Sequence, residues 1–193
     1  MMNIVLFGAP GAGKGTHAEL LAHKFGMRHI STGDLLRAEV EAGTPVGKQV
    51  DAVMKRGDLV GNDVVIRLVE KAIATTDNGM IFDGFPRTVE QAQLLEFLLS
   101  RRNNARIGRV ISIDMPREEL LRRLRERAAV SGRADDNEST FEHRLEEYDQ
   151  KTRPVLEYYR GTGLLTSIDG SGEINQTSMR ICKIVEMLLQ KKA

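Results

Sequence analysis

Residues 8–16 read Gly8-Ala9-Pro10-Gly11-Ala12-Gly13-Lys14-Gly15-Thr16, and this stretch decides the fold. Ahead of it lies Asn3-Ile4-Val5-Leu6-Phe7, a short apolar run rich in strand formers. Behind it, Ala18, Leu21, Ala22 and Phe25 recur at helical spacing. The glycines therefore sit on a strand-to-helix turn. Gly11, Gly13 and Gly15 carry no Cβ, so backbone N–H groups can curl around an anion without obstruction. The start of a helix near Lys14 adds the positive end of its dipole, and the Lys14 ammonium adds a full charge. This is a phosphate cradle of the P-loop kind.

One position departs from the usual pattern, in which Ser or Thr follows the Lys directly. Here Gly15 intervenes and the hydroxyl is Thr16. The departure bears on direct metal ligation by a loop hydroxyl; it leaves phosphate binding, a property of the backbone, untouched. A ligand-free Gly-rich hairpin is disfavoured by the strand before and the helix after. A dinucleotide fingerprint fails because Thr16 stands where its third Gly belongs.

Outward from the loop, strand-like runs at 3–7, 28–30, 80–82, 110–113 and 164–168 alternate with helical patterns. That order predicts an α/β fold, a P-loop three-layer α/β/α arrangement with a five-stranded parallel sheet. Ligands in such sheets bind at the carboxyl ends of the strands. Two stretches break the alternation. Residues 31–60 hold helical turns interrupted by Gly43-Thr44-Pro45 and Gly57, and residues 128–138 are polar and Gly-containing. Both are expected to be appendages at the sheet's edge, the second a mobile loop able to close as a lid.

The chain has 193 residues, enough for one substantial core, and a formal net charge of +1, so no broad field attracts nucleic acid or membrane. An anion site must then be gathered locally from Arg and Lys. The one cysteine, Cys182, excludes an internal disulfide and a multi-Cys zinc site, suits a reducing cytosol, and is expected to be a buried, inert thiol. The apolar run at 3–7 is too short for a signal peptide, and no run reaches transmembrane length, so a cytoplasmic protein is expected.

The strand exits carry the remaining chemistry. After the second run comes STGDLLR at 31–37, where Ser31 or Thr32 can cap a helix bearing Arg37. After the third comes DGFPRT at 83–88. Asp83 is placed to hold Mg²⁺, directly or through water, and Arg87 aims its donors into the same crevice. Gly84 allows close backbone approach and Pro86 stiffens the turn. Thr88 and Gln91, three apart, fit a capping box, as do Ser139 and Glu142. Arg122, Arg123 and Arg125 read as a solvated helix face. Arg127, Arg133 and Arg144 flank the polar loop, where catalytic charge would be delivered. His17, His23, His29 and His143 show no metal-ligand spacing and read as structural or surface.

Taken together these pieces resemble the adenylate kinase family. The carriers are GAPGAGKGT at 8–16, STGDLLR at 31–37, GDLV at 57–60, DGFPRT at 83–88 with Gln91, SGRADDN at 131–137, RLEEY at 144–148 and IDGSG at 168–172. The resemblance implies reversible Mg²⁺-dependent transfer from ATP to AMP, giving two ADP, by a monomer. It also implies a nucleoside-monophosphate-binding insertion at 31–60 and a lid at 128–138 of the short kind, without structural zinc. ATP would lie on Gly11, Ala12, Gly13, Lys14, Gly15 and Thr16, with Arg127 beside it and the Gly172 backbone touching adenine. Thr32, Arg37, Asp58, Leu59, Val60, Gly84, Phe85, Pro86, Arg87 and Gln91 resemble the AMP site, and Arg133 and Arg144 the pair gripping the transferred phosphates. The rivals are a UMP/CMP kinase of the same fold and a non-catalytic nucleotide-binding scaffold. Thr32 and Gln91, a hydroxyl and an amide able to pair with adenine, favour AMP.

Overall fold

The computed structural model describes residues 1–102, 105–132 and 136–190. In chain order the elements are β1 (Met2–Phe7), α1 (Lys14–Phe25), β2 (Arg28–Ser31), α2 (Thr32–Glu41), α3 (Pro45–Arg56), α4 (Asn62–Ala74), β3 (Met80–Asp83), α5 (Val89–Ser100), β4 (Arg106–Asp114), α6 (Arg117–Ser131), α7 (Glu138–Glu147), a π-helical turn (Tyr148–Thr152), α8 (Arg153–Gly161), β5 (Leu165–Asp169) and α9 (Ile174–Gln190). The strands form one five-stranded sheet in the order β2-β3-β1-β4-β5, and every pairing is parallel. The expected fold class is the one observed.

β1 is buried along its whole length because both sheet faces are covered. Its residues alternate between two cores. Val5 and Phe7 join Val69 of α4, Leu95 of α5 and Tyr159 of α8 on one face. Ile4 and Leu6 join Ala18 and Leu21 of α1, Leu120 of α6 and Ile181 of α9 on the other. The period-2 pleat thus sorts one apolar run into two layers. After β1 the chain turns to the α1 face, and after β3 it turns to the α5 face. Adjacent strands β1 and β3 therefore send their connections to opposite sides, which opens a crevice at their carboxyl ends.

Residues 31–60 fold as two helices and a loop. Ser31 caps α2 by accepting from the Asp34 N–H at 3.3 Å, and Thr44 caps α3 by accepting from the Gly47 N–H at 2.9 Å. Each cap is worth about 1 kcal/mol. Leu36, Val50 and Val64 make a small separate core that binds α2, α3 and α4 together. Gly57 ends α3 in the left-handed conformation (φ 80°), and a Cβ there would fall 2.7 Å from Arg144 Cγ. Only glycine permits both the turn and that approach.

Three local expectations are corrected. α6 runs on to Ser131, so residues 128–131 are helix rather than loop, good helix formers Ala128 and Ala129 extending it. Ser139 lies inside α7, behind Asn137 at the cap position, and its hydroxyl donates to Asn137 Oδ1 instead of capping. At α5 the cap is Thr88, but Gln91 reaches one residue further back than a capping box requires: its Oε1 accepts from the Arg87 N–H. Cys182 is half-buried against the α1 face, and burial raises its thiol pKa. No helix among the described residues is long and apolar enough to cross a membrane.

Candidate active site

The loop at 8–13 is shaped by its neighbours. Gly11 adopts φ +91°, and a Cβ there would lie 2.7 Å from the Leu120 carbonyl oxygen. Close packing against α6 thus demands the glycine that phosphate binding also favours. Lys14, the first residue of α1, folds back and donates through Nζ to the carbonyls of Gly8 (2.8 Å) and Ala9 (3.2 Å). Burial is the main reason its pKa falls to about 8. Asp83 opposes the fall; the charges of Arg87, Arg127 and Arg144 reinforce it. Burial, with three guanidinium groups adding to it, lowers this lysine on the crevice wall.

Asp83 closes β3 in register with Leu6 of β1 and Ser31 of β2. A Cβ on Gly15 would sit 3.6 Å from Asp83 Oδ2, so the carboxylate lies directly behind the loop. Burial pushes its pKa up, but His29, Lys14 and Arg87 outweigh burial and hold the carboxyl below its ordinary value. His29 Nε2 stands 3.6 Å from Asp83 Oδ2, longer than a normal hydrogen bond. The Gly84 carbonyl accepts from Arg87 Nε (2.8 Å) and from the Thr32 hydroxyl (2.9 Å), which ties the exits of β2 and β3 together. Gln91, 3% exposed, hydrogen-bonds through both ends of its amide, to the Arg87 N–H and to Asn62 Oδ1.

The arginines of α6 separate by what they face. Arg122 and Arg125, 55% and 57% exposed, pair with the surface carboxylates Glu119, Glu126 and Glu138. Arg127 makes a forked contact with Asp136 (2.5 and 2.7 Å), and Arg144 of α7 reaches the same carboxylate at 3.0 Å. The Asp136 side chain is fully buried. Burial would raise its pKa, yet Arg127, Ser131 and Arg144 hold it below the ordinary value. Asp136 therefore brackets the two arginines and presets their spacing.

Strand exits, loop and arginines line one crevice of about 660 Å³. It brings together Gly11, Gly13, Lys14, Gly15, Thr16, Thr32, Arg37, Asp58, Leu59, Val60, Asp83, Gly84, Phe85, Pro86, Arg87, Gln91, Arg127 and Arg144. Ala12 is buried in the α1-face core rather than lining it. Gly172 stands off the crevice wall, its carbonyl accepting from Arg123 at 2.9 Å. Arg133 lies outside the described residues.

Arg123 corrects the expectation of a solvated face. It lines the crevice, and its side chain, 15% exposed, is held by Glu119 and by the Gly170 and Gly172 carbonyls. Its i, i+4 spacing from Arg127 was the available signal, since residues so spaced share a helix face. Asn62 and Lys151 also line the crevice and carried no motif. Lys151 falls in the π-helical turn, which no side-chain pattern announces. Among the described residues, no three His, Cys, Asp or Glu side chains gather as a metal cluster.

Comparison with known proteins fits this arrangement. The adenylate kinase family model matches residues 6–164. The chain is 43% identical over 190 residues to an adenylate kinase of Bacteroides fragilis, covering 97% of this chain and all of that one. It is 45% identical over 178 residues to an adenylate kinase of Thermus thermophilus (92% and 94% covered) and 42% identical over 187 residues to one of Leptospira biflexa (96% and 100%). With the family model matched over most of its length and these relatives aligned across nearly all of it, the chain belongs to the adenylate kinase family.

Proposed function

We propose that this chain catalyses the family's reaction, reversible Mg²⁺-dependent transfer of the terminal phosphoryl group of ATP to AMP, giving two ADP, in the crevice at the ends of β1 and β3. The observation that carries the reading is the convergence of Lys14, Arg87, Arg127 and Arg144 on one cavity, close enough that the arginines depress the lysine. Such a set of cations favours polyanions beside it. The ATP phosphates are assigned to residues 11–16 and Arg127. AMP is assigned to Thr32, Arg37, residues 58–60 and 84–87, and Gln91. Residues 31–60 act as the AMP-binding insertion and 128–138 as a short lid. Arg144 grips the transferred group; Arg133 is assigned the same role on the resemblance alone.

The donor set suits Mg²⁺, which takes one or two carboxylates and leaves its other positions to water and phosphate. Asp83, ionised and directly behind the phosphate loop, is the residue that would hold it, through water or directly. Bound there, the ion supplies neutralisation of phosphate charge. The chain's own residues do the rest. Phosphoryl transfer needs alignment and charge stabilisation more than covalent help. The acceptor phosphate, with a second pKa of about 6, is already ionised at neutral pH, so no general base is needed. Lys14 and the arginines offset repulsion between the two nucleotides, and closure over the crevice excludes water that would otherwise hydrolyse ATP. The near-zero net charge supports the absence of nucleic-acid or membrane partners, and a cytoplasmic monomer, on the resemblance, completes the reading.

A coupled assay of the purified protein with ATP against AMP, UMP, CMP and GMP tests it. The fastest turnover is expected with AMP. Faster turnover with UMP would make the chain a pyrimidine nucleotide kinase; none with any acceptor would make it a scaffold.

A further inference from the structure

Asn62, at the start of α4, carries a side chain that bridges two neighbours on α5. Its Nδ2 donates to Glu90 Oε2 at 2.9 Å, and its Oδ1 accepts from Gln91 Nε2 at 2.6 Å. Beyond it, Gln91 Oε1 accepts from the Arg87 backbone N–H at 2.7 Å. The two ends of this relay have fixed roles: an ionised carboxylate only accepts, and a peptide N–H only donates. The two amides between them are polarised accordingly. Turning Gln91 over would set its NH₂ against the Arg87 N–H and its oxygen against Asn62 Oδ1. Turning Asn62 as well would relieve the middle contact but face an amide oxygen to the Glu90 carboxylate. Gln91 is 3% exposed, so water does not replace what a turned amide would lose.

We infer that Asn62, itself held by Glu90, is a positioning residue that fixes which way round Gln91 presents its amide, and thereby makes the acceptor site select 6-amino over 6-oxo purines. The inference rests on the reading of Gln91 as a base-contacting residue. Asn62 and Gln91 both line the crevice. With one hydrogen bond already made at each end, the Gln91 amide keeps one lone pair on Oε1 and one N–H on Nε2. That acceptor–donor pair matches adenine, whose N6 amino group donates beside an accepting N1. Hypoxanthine offers an accepting O6 beside a donating N1–H, so in the same pose acceptor meets acceptor and donor meets donor. An amide free to turn would pair with either base. One held at both ends pairs only with the 6-amino purine, and the mismatch leaves buried polar groups unpaired.

The test is kcat and KM for AMP and for IMP at saturating ATP, in the wild type, Asn62→Ala, Asn62→Asp combined with Glu90→Gln, Glu90→Gln alone and Gln91→Leu. Asn62→Ala is expected to lower the AMP-over-IMP ratio of kcat/KM by about fivefold to tenfold, mainly through KM. Asn62→Asp made together with Glu90→Gln, so that no two carboxylates face each other, still offers an acceptor to Gln91 Nε2 and is expected to keep the ratio within about twofold. A wild-type ratio in Asn62→Ala overturns the inference, as does an equal loss in Asn62→Ala and in that double variant, which would mean the position acts through packing. Should Asn62→Ala not fold, the exposed Glu90→Gln decides in its place: its amide can donate to a turned Asn62, so a drop of about twofold to threefold is expected and an unchanged ratio overturns. Gln91→Leu separates the two layers. If it too leaves the ratio unchanged, Gln91 does not read the base and the underlying assignment fails. If it collapses the ratio while Asn62→Ala does not, only the positioning role fails.

Discussion

The two ends of the crevice are built on different physics. At the phosphate end, around Lys14, Asp83, Arg127 and Arg144, full charges are packed into a buried space, and they shift the pKa values of Lys14, Asp83 and Asp136. At the base end, around Thr32, Asn62 and Gln91, the groups are neutral and each is fixed by a hydrogen bond to a partner with one possible role. Charge falls off slowly with distance and is indifferent to which nucleoside carries it. Amide hydrogen bonds are short-ranged and discriminate. On the proposed assignment, the phosphate end supplies rate and the base end supplies choice.

The largest effects should come from breaking the phosphate end. Lys14→Met and Arg87→Ala are each expected to slow turnover by at least about 100-fold, the scale on which a single charge-stabilising donor acts. Steady-state kinetics on folded variants checks this, and near-normal kcat in either removes its assigned role.

Burial beside this end has a second consequence, in stability. Burial, then Arg123, lowers the His17 pKa to about 4, while its ring accepts or donates one bond to Ser178 at 2.8 Å. The unfolded chain takes up a proton at about pH 6.5 and the native state only near pH 4, so stability present above about pH 6.5 is lost as the pH falls through that window. About 2 kcal/mol of acid sensitivity is expected. His17→Gln should flatten the stability profile over that range in chemical denaturation; an unchanged slope would contradict the assignment.

A smaller effect separates charge from hydrogen bonding directly. Lys14 titrates at about 8 in the free protein, and bound phosphates favour its charged form. ATP binding at alkaline pH therefore takes up a proton, and Kd should rise about thirtyfold from about pH 7 to about pH 9.5. Calorimetry in buffers of different ionisation heat reads both quantities, and a flat Kd would show that Lys14 is not so depressed. The smallest effect lies on the other face of α6. Arg122→Ala should leave kcat within about twofold, since its exposed ion pairs contribute little, whereas Arg127→Ala loses the contact with Asp136.

The phosphate end was also the more legible in sequence. The loop at 8–16 and Asp83 announce themselves because strand, turn and helix are local patterns and the ligand-facing groups lie within them. Arg123 and Arg122 are adjacent in sequence and differ only in which side of α6 they occupy. A run of charges hides that until the helix phase is fixed. Asp136 looked like loop polarity because its partner Arg144 lies on the next helix. Asn62 was silent because its relay joins α4 to α5 across 29 residues, a pairing that only the fold creates. Ser139 misled because two residues near a helix start both had cap chemistry, and Asn137 took the position.

The central claim, that buried charge gathers the phosphates while a polarised amide chooses the base, is tested most directly by a crystal structure with a bisubstrate dinucleotide, two adenosines joined through five phosphates. Lys14, Arg87, Arg127 and Arg144 are expected on the phosphate chain, with the Gln91 amide against the edge of one adenine and Asn62 still bonded behind it. Those side chains turned to solvent, or Gln91 facing away from both bases, would contradict the account.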